Sequence, residues 1–176
     1  GVECVDVYYH HAPDPNTPPE ETAAVLASFV QAGKARFVGI SNYSLAETIR
    51  IAGALQRLGT PALLHQCNYN LLNRWVEDGL LAALPALGMC AAVFSVLNQG
   101  VLSDATLAGP APGSRAEKSL AALIDGIGTG EPAYGRYAAG DAAPQVLQLL
   151  SELSIIARER GQTLAQLALT WVLRHA

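Results

Sequence analysis

The chain has 176 residues, about half of them apolar and 15% charged, with a formal net charge of −4 at pH 7. This composition suffices for a buried core and excludes a disordered charged tail, and the mild charge gives no reason to expect nucleic acid or an anionic membrane as partner. There is no apolar run of about 18 residues and no visible secretion signal, so we expect a cytoplasmic protein that does not span a membrane.

The three cysteines are odd in number and widely spaced, and each lies in an apolar run: Cys4, Cys67 and Cys90. This pattern predicts buried free thiols in a reducing compartment. Metal ligands are clustered at characteristic spacings, which are absent here, so no metal site is predicted.

Four short apolar runs alternate with helix-length amphipathic segments. The runs cover residues 2–9, 36–40, 62–65 and 89–94. Runs of this kind are typical of parallel strands that are covered on both faces. Parallel strands joined by helices fit two architectures, a doubly wound open sheet and a (β/α)8 barrel.

Helix starts are marked by a hydroxyl residue with Glu or Gln three positions later, which predicts three capping boxes: Thr17 with Glu20, Ser44 with Glu47 and Thr163 with Gln166. Further helices are predicted over residues 75–87 and 143–160. Residues 97–143 are rich in Gly, Pro, Ala and Ser, and we expect a long loop there that serves a cofactor or substrate.

Each predicted strand ends in polar residues. They are His10 and His11, then Ser41 and Asn42, then His65, Gln66 and Asn68, and finally Ser95, Asn98 and Gln99. In both architectures the carboxyl ends of the strands carry the chemistry, so these residues are the candidate site. The alternative is that polar residues simply begin the loops.

Four segments together resemble one family. Residues 6–14 read DVYYHHAPD, residues 33–43 read GKARFVGISNY, residues 66–74 read QCNYNLLNR, and residues 157–173 read ARERGQTLAQLALTWVL. They resemble the fourth strand, the "GKxRxxGxSNx" strand, the "QxxYNLLxR" turn and the last helices of aldo-keto reductases. The most similar subgroup contains bacterial glyceraldehyde-phosphate-type reductases and potassium-channel β subunits. The implied fold is α/β, a partial (β/α)8 TIM barrel with about four parallel strands, as a single domain over residues 1–176.

The resemblance implies an NADPH-dependent reductase of a small aldehyde or ketone. His11 would be the active-site histidine, which donates a hydrogen bond to the carbonyl oxygen as hydride arrives. His10 points to the opposite face of its strand and is predicted to pack.

The resemblance also implies a nicotinamide site. Ser41, Asn42 and Gln66 would bind the carboxamide, because an amide needs both a donor and an acceptor. Phe94 would stack on the ring, where the family usually has Tyr or Trp.

The pyrophosphate would lie against Ser95–Gly100, including Ser95, Leu97, Gln99 and Gly100, through backbone N–H groups. Asp104 stands near the position of a family lysine and adds a negative charge, for which Arg115 would compensate. The alternative is that Arg115 is a solvated loop residue.

The resemblance begins at the family's fourth strand and stops just before the eighth. The family's catalytic Asp, Tyr and Lys lie on its first three strands, and their motifs do not occur in this chain. Four strands cannot close a barrel. We therefore expect either a fragment, or a truncated product that associates with itself or with the missing N-terminal half. The alternative function is a non-catalytic nicotinamide-binding subunit like the channel β subunits, although these tend to carry Asn at the position of His11.

Overall fold

The structure is a computed structural model that describes residues 1–124 and 143–175. The chain divides into two compact units. Unit 1 comprises residues 1–67 and 76–93, and unit 2 comprises residues 68–75 and 94–176. Unit 1 contains most of the sheet, and unit 2 contains the segments that follow its third and fourth strands.

The sheet has four strands in the order in which they occur along the chain: β1 (Val5–His10), β2 (Ala35–Ser41), β3 (Ala62–Asn68) and β4 (Cys90–Phe94). β1 pairs with β2 and β2 with β3 in parallel. A doubly wound sheet reverses its strand order at a switch point, whereas a barrel adds its strands consecutively. The order therefore supports the predicted section of a (β/α)8 barrel, and the four predicted strands are confirmed.

Two long helices connect the first three strands: α1 (Pro19–Gln31) and α2 (Leu45–Arg57). α1 packs against both α2 and β2, and the buried side chains of these three elements include Leu26, Val38, Ile40, Ile51 and Leu55, all at most 2% exposed. This core fixes β1 and β2 side by side, and so fixes the positions of the residues that follow each strand.

Two of the three predicted capping boxes are present. Ser44 and Glu47 close the start of α2, and Thr163 and Gln166 close the start of α7 (Leu164–Val172). The box at Thr17 was a wrong prediction. The N-cap of α1 is Pro18, one residue later than predicted, and proline has no side-chain oxygen that could accept a capping hydrogen bond. The Thr17 hydroxyl donates to Asp14 Oδ2 at 2.7 Å.

The helix predicted over residues 75–87 is broken into short pieces. The structure has a 3₁₀ turn at Trp75–Glu77, the short helix α3 (Leu80–Ala83) and a second 3₁₀ turn at Pro85–Leu87. Gly79 has a φ of 97°, and this left-handed conformation interrupts a right-handed helix between the first two pieces.

The segment predicted as one long loop contains helical structure. It forms a 3₁₀ turn at Asn98–Gly100, then α4 (Asp104–Leu107) and α5 (Arg115–Ile124). The rest of that segment, up to residue 142, lies outside the described residues. The helix α6 (Ala143–Glu159) agrees with the prediction for residues 143–160. Val101, Leu102, Leu120, Leu150 and Leu164 form the core of unit 2.

The cysteine prediction was correct for Cys67 and wrong for the other two. All three are free thiols, but only Cys67 is buried, whereas Cys4 and Cys90 are exposed. Cys4 precedes β1 and Cys90 begins β4, where neither side chain is covered by the described residues. Within the described ranges, no helix meets the length and hydropathy needed to cross a bilayer.

Candidate active site

His11 follows the last residue of β1, and its position is fixed from the neighbouring strand. Its side chain is exposed, while its backbone carbonyl accepts a hydrogen bond of 2.9 Å from Asn42 Nδ2. Asn42 follows β2 immediately, so this bond ties the ends of the two strands together. The predicted proximity of these two strand ends is therefore present in unit 1.

Asn42 is held in an unusual backbone conformation that turns the chain out of β2. Its φ is 61°, in the left-handed region that asparagine tolerates better than most residues. Its backbone N–H donates to the Gln66 carbonyl at 3.1 Å, and its side-chain Nδ2 lies 3.0 Å from Ser41 Oγ. Strand register also places Ser41 opposite Gln66. Ser41, Asn42 and Gln66 are thus brought together, as the sequence predicted.

These three residues leave hydrogen-bonding groups available. Asn42 is 5% exposed, yet its Oδ1 has no hydrogen-bond partner among the described residues. The side-chain amide of the half-buried Gln66 likewise makes no hydrogen bond within the described chain. A buried acceptor without a partner is costly, so a ligand N–H at this position would relieve the cost. A primary carboxamide carries such N–H groups together with an acceptor oxygen, so the residues present fit it.

A second set of contacts surrounds the first. His10 Nδ1 lies 2.6 Å from the hydroxyl of Tyr43, and His65 Nε2 lies 3.0 Å from the Tyr43 carbonyl. Tyr43 is 4% exposed and His65 is fully buried. His10 is therefore more than a packing residue, because its ring forms a short polar contact with the segment that follows β2.

Burial shifts the pKa values of Tyr43, His10 and His65. Desolvation raises the pKa of Tyr43 to about 12, with the Glu47 charge adding to the effect. Desolvation also lowers the pKa of His10, an effect that Asp14 partly offsets, and lowers the pKa of the buried His65. At neutral pH the Tyr43 hydroxyl keeps its proton and His10 is neutral. We assign the contact as donation from the Tyr43 hydroxyl to His10 Nδ1, which requires the His10 tautomer protonated on Nε2.

A separate group of candidate residues lies in unit 2, which includes the half-buried Phe94 at the end of β4. Ser95 has a φ of 55°, and its carbonyl accepts from Asn70 Nδ2 at 2.9 Å. Gln99 Nε2 lies 3.3 Å from Ser95 Oγ, which closes the turn. Ser95, Asn98, Gln99 and Gly100 all have positive φ, a tight backbone path that suits a turn around a ligand.

Only some of the backbone N–H groups that were predicted to bind the pyrophosphate are available. The N–H groups of Asn98 and Gly100 donate to Ser95 and Leu97 carbonyls at 2.8 and 2.9 Å, within the turn itself. The amides of Val96, Leu97 and Gln99 are therefore the better candidates for binding an anion. The Leu97 carbonyl also accepts from Leu102, so this half-buried residue anchors the turn.

Arg115 lies close in the structure to this turn. It begins α5, and the next residue, Ala116, packs so closely on Gly100 that a Cβ there would lie 3.3 Å from the Ala116 Cβ. Arg115 is exposed and makes no ion pair with any described residue. Its proximity to the turn is consistent with the predicted role, which stays a prediction.

Asp104 has a structural partner that the sequence did not indicate. Its Oδ2 accepts a hydrogen bond of 3.1 Å from the backbone N–H of Leu164, the first residue of α7. A carboxylate at a helix N-terminus is stabilised by the helix dipole as well as by the hydrogen bond. The Asp104 carboxylate therefore has a hydrogen-bond partner within unit 2, and this bond connects the segment after the turn to α7.

Sequence reasoning missed Tyr43 and left His65 without a role. The only signal for Tyr43 was its place directly after Ser41 and Asn42. Among the described residues, no group of three His, Cys, Asp or Glu side chains is placed to hold a metal ion.

A family model for the aldo/keto reductase family matches residues 1–176. The chain belongs to the aldo/keto reductase family. Members of this family generally use nicotinamide cofactors.

Curated relatives of this aldo/keto reductase chain include an L-glyceraldehyde 3-phosphate reductase of Escherichia coli (strain K12), 41% identical over 99% of this chain and 47% of the relative. A putative voltage-gated potassium channel subunit beta of Schizosaccharomyces pombe is 30% identical over 99% of this chain and 48% of the relative. The chain thus spans about half the length of the curated relatives it matches.

Among solved structures, a glycerol dehydrogenase from Gluconobacter oxydans superposes with a TM-score of 0.69. The match covers 98% of this chain and 47% of that chain, at 22% identity. This likeness shows the fold, a section of an aldo-keto reductase barrel, and confirms the fold class predicted from the sequence.

Proposed function

We propose that this chain supplies the active-site histidine and the nicotinamide-binding residues of an NADPH-dependent reductase of small aldehydes or ketones. The observation that carries the proposal is the buried, unpartnered Oδ1 of Asn42, on a side chain whose Nδ2 is bonded to the His11 carbonyl at 2.9 Å. One residue therefore links a carboxamide-binding acceptor to the histidine that would polarise the substrate.

The chain's own residues have distinct parts in this reaction. The carboxamide N–H groups would donate to Asn42 Oδ1, and the Ser41 hydroxyl and the Gln66 amide would bind the carboxamide oxygen. Phe94 would offer its ring face to the nicotinamide, and the turn from Ser95 to Gly100, with Arg115, would bind the pyrophosphate. The cofactor supplies hydride to the carbonyl carbon when bound.

His11 would donate a hydrogen bond to the substrate oxygen, where negative charge develops during the reaction. Such a donor is worth most in the transition state, because it meets a fuller charge there than in the ground state. The proton that completes the alcohol would come from the family's Tyr, assisted by its Lys. We place both on polypeptide beyond these 176 residues, or on a partner that completes the barrel.

The experiment uses the natural polypeptide that contains this chain. NADPH and NADH are titrated by cofactor fluorescence, and reduction of a panel of small aldehydes, including glyceraldehyde 3-phosphate, is followed at 340 nm, where reduced nicotinamide absorbs. Asn42→Ala should weaken NADPH binding by about 1–2 kcal/mol, roughly 5–30-fold, through lost hydrogen bonds. Asn16→Ala, an exposed asparagine outside the site, is the matched control.

His11→Ala should reduce kcat by about 10²-fold or more and leave NADPH affinity nearly unchanged, since His11 binds the reacting oxygen and not the cofactor. Wild-type reduction rates in the His11→Ala variant would contradict the assigned role. NADPH binding that is unaffected by Asn42→Ala would contradict the nicotinamide site.

The second candidate is a non-catalytic nicotinamide-binding subunit. The 30% identity to a putative potassium channel subunit beta favours it. NADPH binding that depends on Asn42, without turnover of any tested carbonyl by the natural polypeptide, would select this candidate over the reductase.

A further inference from the structure

The end of β1 is connected to β3 through Tyr43. The His65 ring, fully buried on β3, contacts the Tyr43 carbonyl at 3.0 Å, and the Tyr43 hydroxyl contacts His10 Nδ1 at 2.6 Å. His10 is the last residue of β1 and is covalently joined to His11. Side chains from two flanking strands thus meet at the one residue that follows Asn42.

The contacts from His65 to Tyr43 and from Tyr43 to His10 add to the hydrogen bond between Asn42 and the His11 carbonyl. Asn42 Nδ2 holds the His11 carbonyl, whereas Tyr43 holds the side chain of the preceding residue. The two contacts act on consecutive residues, so together they restrict both translation and rotation of the peptide that carries His11. The His11 side chain itself is exposed.

We propose that Tyr43 is a positioning residue for His11, acting through the His10 ring. This inference rests on the proposed function, in which His11 polarises the substrate oxygen. Tyr43 does not touch the reacting atoms. Its hydroxyl keeps the β1 end at the place where the His11 donor meets the developing charge, and a misplacement of about 1 Å can cost roughly 100-fold in rate.

The test removes only the hydroxyl. In the natural polypeptide, Tyr43→Phe keeps the ring and should lower kcat about 10–100-fold, with NADPH affinity and substrate KM changed by less than about threefold. The control is Tyr8→Phe. Tyr8 lies on the same strand as His10, but its ring packs on Phe29 at a centroid distance of 4.8 Å, so kcat should stay at the wild-type value.

A second pair of variants tests the His10 step. His10→Gln keeps an oxygen that can accept from the Tyr43 hydroxyl, and should retain more of kcat than His10→Leu, which cannot accept. Equal losses in the two variants would overturn the proposal, and so would wild-type kcat in Tyr43→Phe. A loss of NADPH affinity as large as the loss of kcat would assign Tyr43 a general structural role instead.

A third measurement needs no turnover. Ring signals of the histidines, observed by ¹⁵N-edited NMR, should show neutral His10 with its proton on Nε2, and Tyr43→Phe should shift the His11 signals as well as those of His10. If the His11 ring signals do not shift in Tyr43→Phe, the positioning role is wrong. If His11→Ala keeps wild-type activity, the proposed function fails by itself, while the NMR result still reports on the connection between Tyr43 and His11.

Discussion

The substitution Gly39→Ala should destabilise unit 1, because the Tyr9 ring lies directly over Gly39. A Cβ at position 39 would lie 2.6 Å from Tyr9 Cε1 and 2.7 Å from Cδ1, so the ring must move by about 0.8 Å to restore even a tight contact of 3.4 Å. Gly39 is buried and is paired with Tyr9 on β1 and Leu64 on β3, so the backbone has little freedom to yield. Overpacking of this kind costs about 1–3 kcal/mol.

The same substitution also has a stabilising effect, so the sign of the change in the free energy of unfolding shows which effect is larger. Replacing Gly by Ala reduces the entropy of the unfolded chain, which stabilises the fold by about 0.4–1 kcal/mol where the backbone permits it. Gly53 in α2 is the matched control, because, apart from the backbone of its own helix, Arg57 Nη1 at 3.7 Å is the only described atom within 4 Å of its added Cβ. We expect Gly53→Ala to raise the free energy of unfolding and Gly39→Ala to lower it.

The assay is urea unfolding followed by far-ultraviolet circular dichroism at fixed protein concentration. Combining Gly39→Ala with Tyr9→Leu completes a double-mutant cycle, in which we expect a coupling energy of about 1 kcal/mol or more. A coupling near zero, or a Gly39→Ala protein as stable as the wild type, would refute the reasoning from the ring contact.

Four further predictions concern charge, pH, assembly and activity. Asp104→Ala should lower the free energy of unfolding by about 1 kcal/mol, because the Leu164 N–H at the start of α7 loses its acceptor, whereas the exposed Glu159→Ala should not; equal urea midpoints for the two variants would contradict this. The pKa of buried His65 is lowered by desolvation, so its contribution to stability is full above the unfolded value of 6.5 and is lost as pH falls through the folded value. Stability should therefore fall below pH 6.5, and less steeply in His65→Gln; parallel pH profiles of the two proteins would exclude His65 as the cause. The isolated 176-residue chain should self-associate through the open edges of its sheet, and a stable monomer in sedimentation equilibrium would contradict this. Because we propose that the family's Tyr and Lys lie outside it, the isolated chain should also reduce aldehydes poorly; robust NADPH oxidation abolished by His11→Ala would contradict that.

Local sequence patterns predicted those features whose causes are local. The capping boxes at Ser44 and Thr163 formed because the residues of each box are three positions apart and need no distant partner. The box at Thr17 did not form because α1 begins one residue later than the pattern predicted, so that Pro18, which has no side-chain acceptor, is the N-cap. The exposure of Cys4 and Cys90 could not be read from their apolar neighbours, because exposure depends on which elements cover a strand.

The sequence by itself determined the order of strands and helices and which polar residues stand at the strand ends, because periodicity and chain order are properties of the chain alone. Only the tertiary structure decided which of those residues touch. The bonds from Tyr43 to His10 and from Asn42 to His11 span 33 and 31 residues. They exist because the register of β1 on β2 pairs His10 with Ile40, just before the turn at Asn42. A one-residue slip of that register would move every side chain to the other face of the sheet, so the register depends on which faces are buried in the fold, and no short motif encodes that.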